Sequence, residues 1–153
     1  PFQWEAQITP EEYLRRCALL KSHLKGRSFQ YNYHPSDLSM LEAALCRGDR
    51  KLCDVLLRAH ELGCKMDGWT DYFSMEKWLQ AFADCGVDPK WYAQREWGEN
   101  EVFPWETISI GIPKKFFWKE RQAAYRSEIT PDCRKQCTGC GANRLYTGGV
   151  CDE

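Results

Sequence analysis

Cys133-Arg-Lys-Gln-Cys137-Thr-Gly-Cys140, followed by Cys151, gathers four thiols into the last 21 residues of a 153-residue chain. Thiolates four and three positions apart in a Gly-containing loop can converge on one ion, and a fourth, eleven positions on, can close a tetrahedron. A four-sulfur set suits zinc or an iron–sulfur cluster, and spacing alone does not choose between them. Arg134, Lys135 and Arg144 would favour the thiolate forms and offset their negative charge. The alternatives are a reduced tail with chance clustering, or a disulfide. The total of nine cysteines is odd, which argues against a closed disulfide framework.

Beyond Thr130-Pro131 the sequence offers only Leu145, Tyr146 and Val150 as sizeable apolar groups. Burying them yields at most about 1.5–3 kcal/mol each, against roughly 1–2 kcal/mol of backbone entropy for each residue ordered. Burial alone loses that comparison, so residues 130–153 are expected to form a Cys-rich metal-binding tail on a body spanning 1–129. Cys17, Cys46, Cys53, Cys64 and Cys85 fall on helical faces or helix ends and are expected to be small apolar fillers. His34, before a proline, could touch a cofactor but is expected to cap or pack instead, and His23 and His60 are expected to face solvent. Trp69, Tyr72, Phe73, Trp78 and Trp91 could stack nucleobases, but most lie at core spacing. No Gly-rich phosphate loop, nucleophile elbow or paired-His helix is present, so no catalytic residue is assigned.

The elements that must carry the tail are mostly helical. Thr9-Pro10-Glu11-Glu12 reads as an N-cap, a proline at the first helical position and a capping box. Tyr13, Leu14, Cys17, Leu20 and Leu24 continue that helix towards Gly26. Leu38, Leu41 and Leu45 make a short helix stopped by Gly48; Leu52, Val55, Leu56, Ala59 and Leu62 make the next, behind Asp49. Met75, Trp78, Leu79 and Phe82 follow Ser74, and Asp88-Pro89 starts a short turn of helix. Leu52, Leu56, Trp78 and Phe82 are the expected core. Met66-Asp67-Gly68-Trp69 reads as a turn with an aromatic anchor, and residues 94–106 as a loop with Phe103-Pro104-Trp105 packing back. Pro113 opens a last helix. Phe29, Tyr31 and Tyr33, then Ile108, Ile110 and Ile112, alternate as two short strands. Two strands alone are marginal in water, so the first would need a sheet elsewhere.

Composition sets the outer bounds. With 43% hydrophobic and 28% charged residues the chain is globular, and a net charge of −1 supplies no global field for nucleic acid or an anionic membrane. No run of roughly 18 apolar residues spans a bilayer and no signal-peptide pattern opens the chain, so a soluble cytoplasmic protein is expected. The start Pro1-Phe2-Gln3-Trp4 lacks a Met and suggests a piece of a longer protein.

Pro1 to Trp4, Arg47-Gly-Asp-Arg-Lys-Leu52, Gly63-Cys-Lys-Met-Asp-Gly-Trp69, Phe103-Pro-Trp105, Thr130-Pro-Asp-Cys133 and Cys137-Thr-Gly-Cys-Gly141 form an ordered set of blocks. Together they resemble the region after the catalytic core in radical S-adenosylmethionine Fe-S oxidoreductases that carry an N-terminal cobalamin-binding-like domain. The resemblance implies an α+β, mostly helical fold: the end of a partial (β/α) barrel, a helical extension and the Cys-rich tail. It implies a parent protein using S-adenosylmethionine, a [4Fe-4S] cluster and, through the extra domain, cobalamin. The chain's partner would be the upstream catalytic barrel of the same polypeptide, and the chain alone would be inactive. Cys133, Cys137 and Cys140 spell the CxxxCxxC of that catalytic cluster, but the family's motif follows the first barrel strand, so the catalytic reading of these three is set aside. A second reading is a zinc-stabilised module touching RNA or protein through Arg134, Lys135 and Arg144.

Overall fold

The computed structural model describes residues 1–26 and 28–142. Among them the regular elements are a 3-10 turn, Phe2–Trp4, and the helices α1 Pro10–His23, α2 Ser36–Cys46, α3 Leu52–Glu61, α4 Met75–Asp84, α5 Pro89–Ala93 and α6 Lys114–Tyr125. They divide into two compact units: one runs from Ala6 to Glu96, and the other joins Pro1–Glu5 to the chain from Trp97 onward.

The helix starts follow local chemistry. Thr9 Oγ1 accepts the Glu12 N–H at 3.3 Å, Ser74 caps α4 through the Lys77 N–H, and Asp88 accepts from the Lys90 N–H at 2.9 Å. The expected capping box on α1 is not formed. The Glu12 carboxylate instead takes Arg15 Nε at 2.6 Å and Arg16 Nε at 2.7 Å, and these two guanidiniums hold its pKa down at about 2.

In the first unit α2 lies against α5 and α3 against α4. The core is Met40, Leu41 and Ala44 from α2, Leu52, Val55 and Ala59 from α3, Trp78, Ala81 and Phe82 from α4, and Tyr92 and Ala93 from α5. Leu56 departs from expectation. It is 47% exposed, because the buried stripe of α3 runs 52-55-59 and leaves position 56 on its shoulder. The block at 47–52 proves to be a latch. Arg47 donates to the carbonyls of Ala93 (3.2 Å) and Arg95 (2.7 Å), and Asp49 Oδ1 accepts from the Tyr92 hydroxyl at 2.9 Å. A Cβ at Gly48 would lie 1.9 Å from Leu52 Cδ1 and 3.1 Å from the Ala44 carbonyl oxygen, so any larger residue in the turn between α2 and α3 would displace the buried Leu52 side chain.

The second unit has its own small core of Trp4, Trp97 and Phe103, with Trp105, Phe117 and Trp118 against it. Trp97 and Phe103 stack at 4.9 Å between centroids, and Trp118 meets Trp4 edge-on at 5.0 Å. The Trp97 N–H donates to the Trp4 carbonyl at 2.8 Å. Arg121, 4% exposed, pairs with Glu5, whose carboxylate also accepts from the Tyr125 hydroxyl at 2.8 Å. Burial resists the charge on Glu5, yet the Tyr125 and Arg121 contacts outweigh it and leave its pKa below the ordinary value.

Neither expected strand forms, and there is no strand among the described residues. Ile108 is 70% and Ile110 53% exposed, and Phe29 is 63% exposed. Alternation buries a face only when neighbouring strands complete a sheet, and these segments have none. The expected barrel edge is therefore not formed: the regular elements among the described residues are all helices, joined by irregular segments.

Candidate functional site

The cysteine segment is placed by the end of α6. That helix closes at Arg126, whose guanidinium pairs with Glu128 at 2.7 Å, and Ser127 reverses the chain at φ 56°. The Thr130 hydroxyl then donates to the Glu120 carboxylate, tying the departing chain back to the helix. Asp132 organises the next turn. Its carbonyl accepts the N–H groups of Lys135 (2.8 Å) and Gln136 (3.1 Å), and its carboxylate takes the Arg134 N–H and guanidinium. That guanidinium, followed by the backbone N–H, lowers the Asp132 pKa. Arg134 is thus held on a carboxylate, a different use from the thiolate-stabilising one its position suggested.

Cys133 and Cys137 are exposed, Cys140 is half-buried, and all three are free thiols. Gly139 and Gly141 flank Cys140 with φ of 69° and 81°, the left-handed region that a Cβ disfavours. A Cβ at Gly141 would also stand 3.2 Å from the Gly111 carbonyl oxygen and 3.3 Å from Pro113 Cδ, so the segment is seated against the turn that precedes α6. Direct packing, which the sequence did not reveal, holds this point of the segment. Among the described residues no three His, Cys, Asp or Glu side chains form a metal-binding group. Cys151 and Arg144 lie outside the described residues. The donor chemistry fits zinc or an iron–sulfur cluster, with three accessible or half-accessible thiols on one short loop.

The remaining sequence candidates fall into place differently. Cys17 is buried beneath the Tyr31 hydroxyl, which donates to its Sγ at 3.3 Å; Cys64 is buried, and desolvation followed by the nearby Asp67 charge pushes its thiol pKa up. Cys46 and Cys53 are exposed and Cys85 half-buried, so the filler reading fails for the first two. The His34 side chain is exposed, and its carbonyl accepts from the Tyr13 hydroxyl at 3.0 Å. Trp69, expected as an anchor, is exposed, with Tyr72 and Trp91; Arg95 lies 4.5 Å over the Trp91 ring.

Sequence reasoning missed a groove of about 570 Å³ in the second unit, walled by Phe103, Trp105, Phe117, Ile108, Ile110 and Pro113. At its rim Lys114 Nζ pairs with Glu106 at 2.9 Å and lies 4.4 Å over the Phe103 ring. The alternating isoleucines were the signal, read as a strand when they line a concave surface. No protein-family model, curated protein or solved structure matches the chain. No helix among the described residues is long and apolar enough to cross a membrane.

Proposed function

We propose that the chain is a helical accessory module whose Cys133, Cys137, Cys140 and Cys151 hold one metal centre. The observation that carries this reading is a loop with three free thiols, exposed or half-buried, anchored to the body at Gly141. The groups that seat it are the Asp132 turn, the Thr130–Glu120 hydrogen bond and the glycine contact, and none of them occupies a thiol. On the resemblance of its sequence blocks, the module serves a radical S-adenosylmethionine iron–sulfur enzyme as an auxiliary or structural site. The S-adenosylmethionine, catalytic [4Fe-4S] cluster and cobalamin belong to the parent's other parts. A zinc-stabilised interaction module is the second reading, favoured by the absence of any barrel strand among the described residues.

Anaerobic purification under reducing conditions, with elemental analysis and visible absorbance, tests this beside a Cys137→Ser/Cys140→Ser variant. One iron–sulfur centre per chain, lost in the variant, supports the auxiliary site of an iron–sulfur enzyme; one colourless zinc, similarly lost, supports the interaction module. Substoichiometric metal, or metal unaffected by the substitutions, overturns the shared proposal.

A further inference from the structure

Phe29-Gln-Tyr-Asn-Tyr33 is neither helix nor turn, and among the described residues its backbone makes no hydrogen bond to another backbone group. Tyr31 and Tyr33 share one side, and Phe29 takes the same alternate position in the sequence. Tyr31 and Tyr33 rings lie 5.4 Å apart, Tyr33 meets Tyr13 of α1 edge-on at 6.4 Å, and Tyr31 donates to Cys17 of the same helix. Two tyrosines are thus seated on α1, while the backbone edge has donors and acceptors without a ladder partner. Leu14, Leu19, Leu20, Leu24, Phe29 and Tyr33 all remain exposed on the helix and this segment. Of these, Leu20 lies on the side of α1 that carries Tyr13 and Cys17, so with Phe29 and Tyr33 it leaves apolar surface uncovered beside the segment.

The order of residues identifies the occupant. Turned antiparallel about Tyr31, the segment is complementary to itself: Phe29 faces Tyr33 of the other copy, Gln30 faces Asn32 and Tyr31 faces Tyr31. Aromatic groups meet aromatic groups, and amides meet amides that can hydrogen-bond, which are favourable cross-strand pairs. A two-fold interface requires this property, since each residue must suit its own partner's counterpart. The two α1 helices would support one face of the resulting ribbon, supplying the burial that an isolated pair of strands lacks. We propose that residues 29–33 form an antiparallel two-stranded ribbon with a second copy of this chain, giving a dimer. This inference is independent of the metal reading.

Sedimentation equilibrium at ~100 µM protein, with reductant to exclude disulfide-linked species, measures the association; a complex with micromolar Kd is mostly associated there. A Phe29→Lys/Tyr33→Lys variant places like charges opposite one another, and its dimer should weaken roughly tenfold or more. A Phe29→Lys/Tyr33→Glu variant loses the same aromatics but pairs opposite charges in the antiparallel register, and it should associate more tightly than the double-lysine chain. Helical circular dichroism equal to that of the unmodified chain confirms that each variant folds. A monomeric unmodified chain overturns the proposal. So does a dimer that the double-lysine variant leaves intact, or double variants that associate equally.

Discussion

Gly141 lies against the carbonyl of Gly111: a Cβ there would come within 3.2 Å of the oxygen, so the two segments would have to give by a few tenths of an ångström to admit a methyl group. The φ of 81° adds a second reason for glycine at the same position. Gly141→Ala should therefore loosen the cysteine segment while leaving the helical body intact. The left-handed conformation alone costs a non-glycine residue roughly 1–2 kcal/mol. The expected outcome is several-fold faster alkylation of Cys140, followed by mass spectrometry, with unchanged helical circular dichroism.

Tyr92 supplies a pH signature. Burial, then the hydrogen bond to Asp49, raises its pKa to about 12, because ionising the phenol would leave two negative groups in contact. The folded pKa lies above the unfolded value, so this stabilisation is complete below about pH 10 and is lost as pH rises through about 12. Urea unfolding should show the Tyr92→Phe variant less stable by about 1 kcal/mol at neutral pH. The unmodified chain should lose that advantage above about pH 10, which a pH series of unfolding midpoints will read.

Phe82 and Leu56 should separate sharply. Phe82 is 1% exposed within the α3–α4 core, and Phe82→Ala should cost about 3–5 kcal/mol. Leu56→Ala, on the open shoulder of α3, should cost below about 1 kcal/mol. Parallel chemical denaturation curves of the two variants check both values.

Much of the helical body was legible because its signals are local. Thr9, Ser74 and Asp88 each sit just before a run of helical period, and each side chain caps the helix it precedes. Period without phase was weaker evidence: Leu56 belongs to the apolar side of α3 by spacing, but the neighbours of Val55 and Ala59 decide which edge of that side is covered. The alternating Phe29–Tyr33 and Ile108–Ile112 segments misled for a related reason, since a strand exists only with its ladder partner. The core of Trp4, Trp97 and Phe103 was legible on one side only: the Phe103-Pro104-Trp105 run predicts a segment that packs back, and it does, but its partner Trp4, some ninety residues before Trp97, carries no local signature. At the candidate site the thiols were evident from spacing, whereas the seat at Gly111 and Pro113 depends on a contact across some thirty residues that no local pattern encodes.

The unit built on Trp4 and Trp97 is interrupted: its chain departs after Glu5 and resumes at Trp97. Closing so long an unstructured loop, some ninety residues, costs about 4 kcal/mol in chain entropy before any aromatic contact compensates. The five helices within the interruption make their main packing contacts inside it, α2 with α5 and α3 with α4, and can form without that closure. Once folded they replace a long random excursion by a closed one, the Gln7 N–H donating to the Ala93 carbonyl at 2.9 Å. The topology thus lets the inserted helices form first, which shortens the closure still to be made by the discontinuous unit, the one that carries Cys133, Cys137 and Cys140.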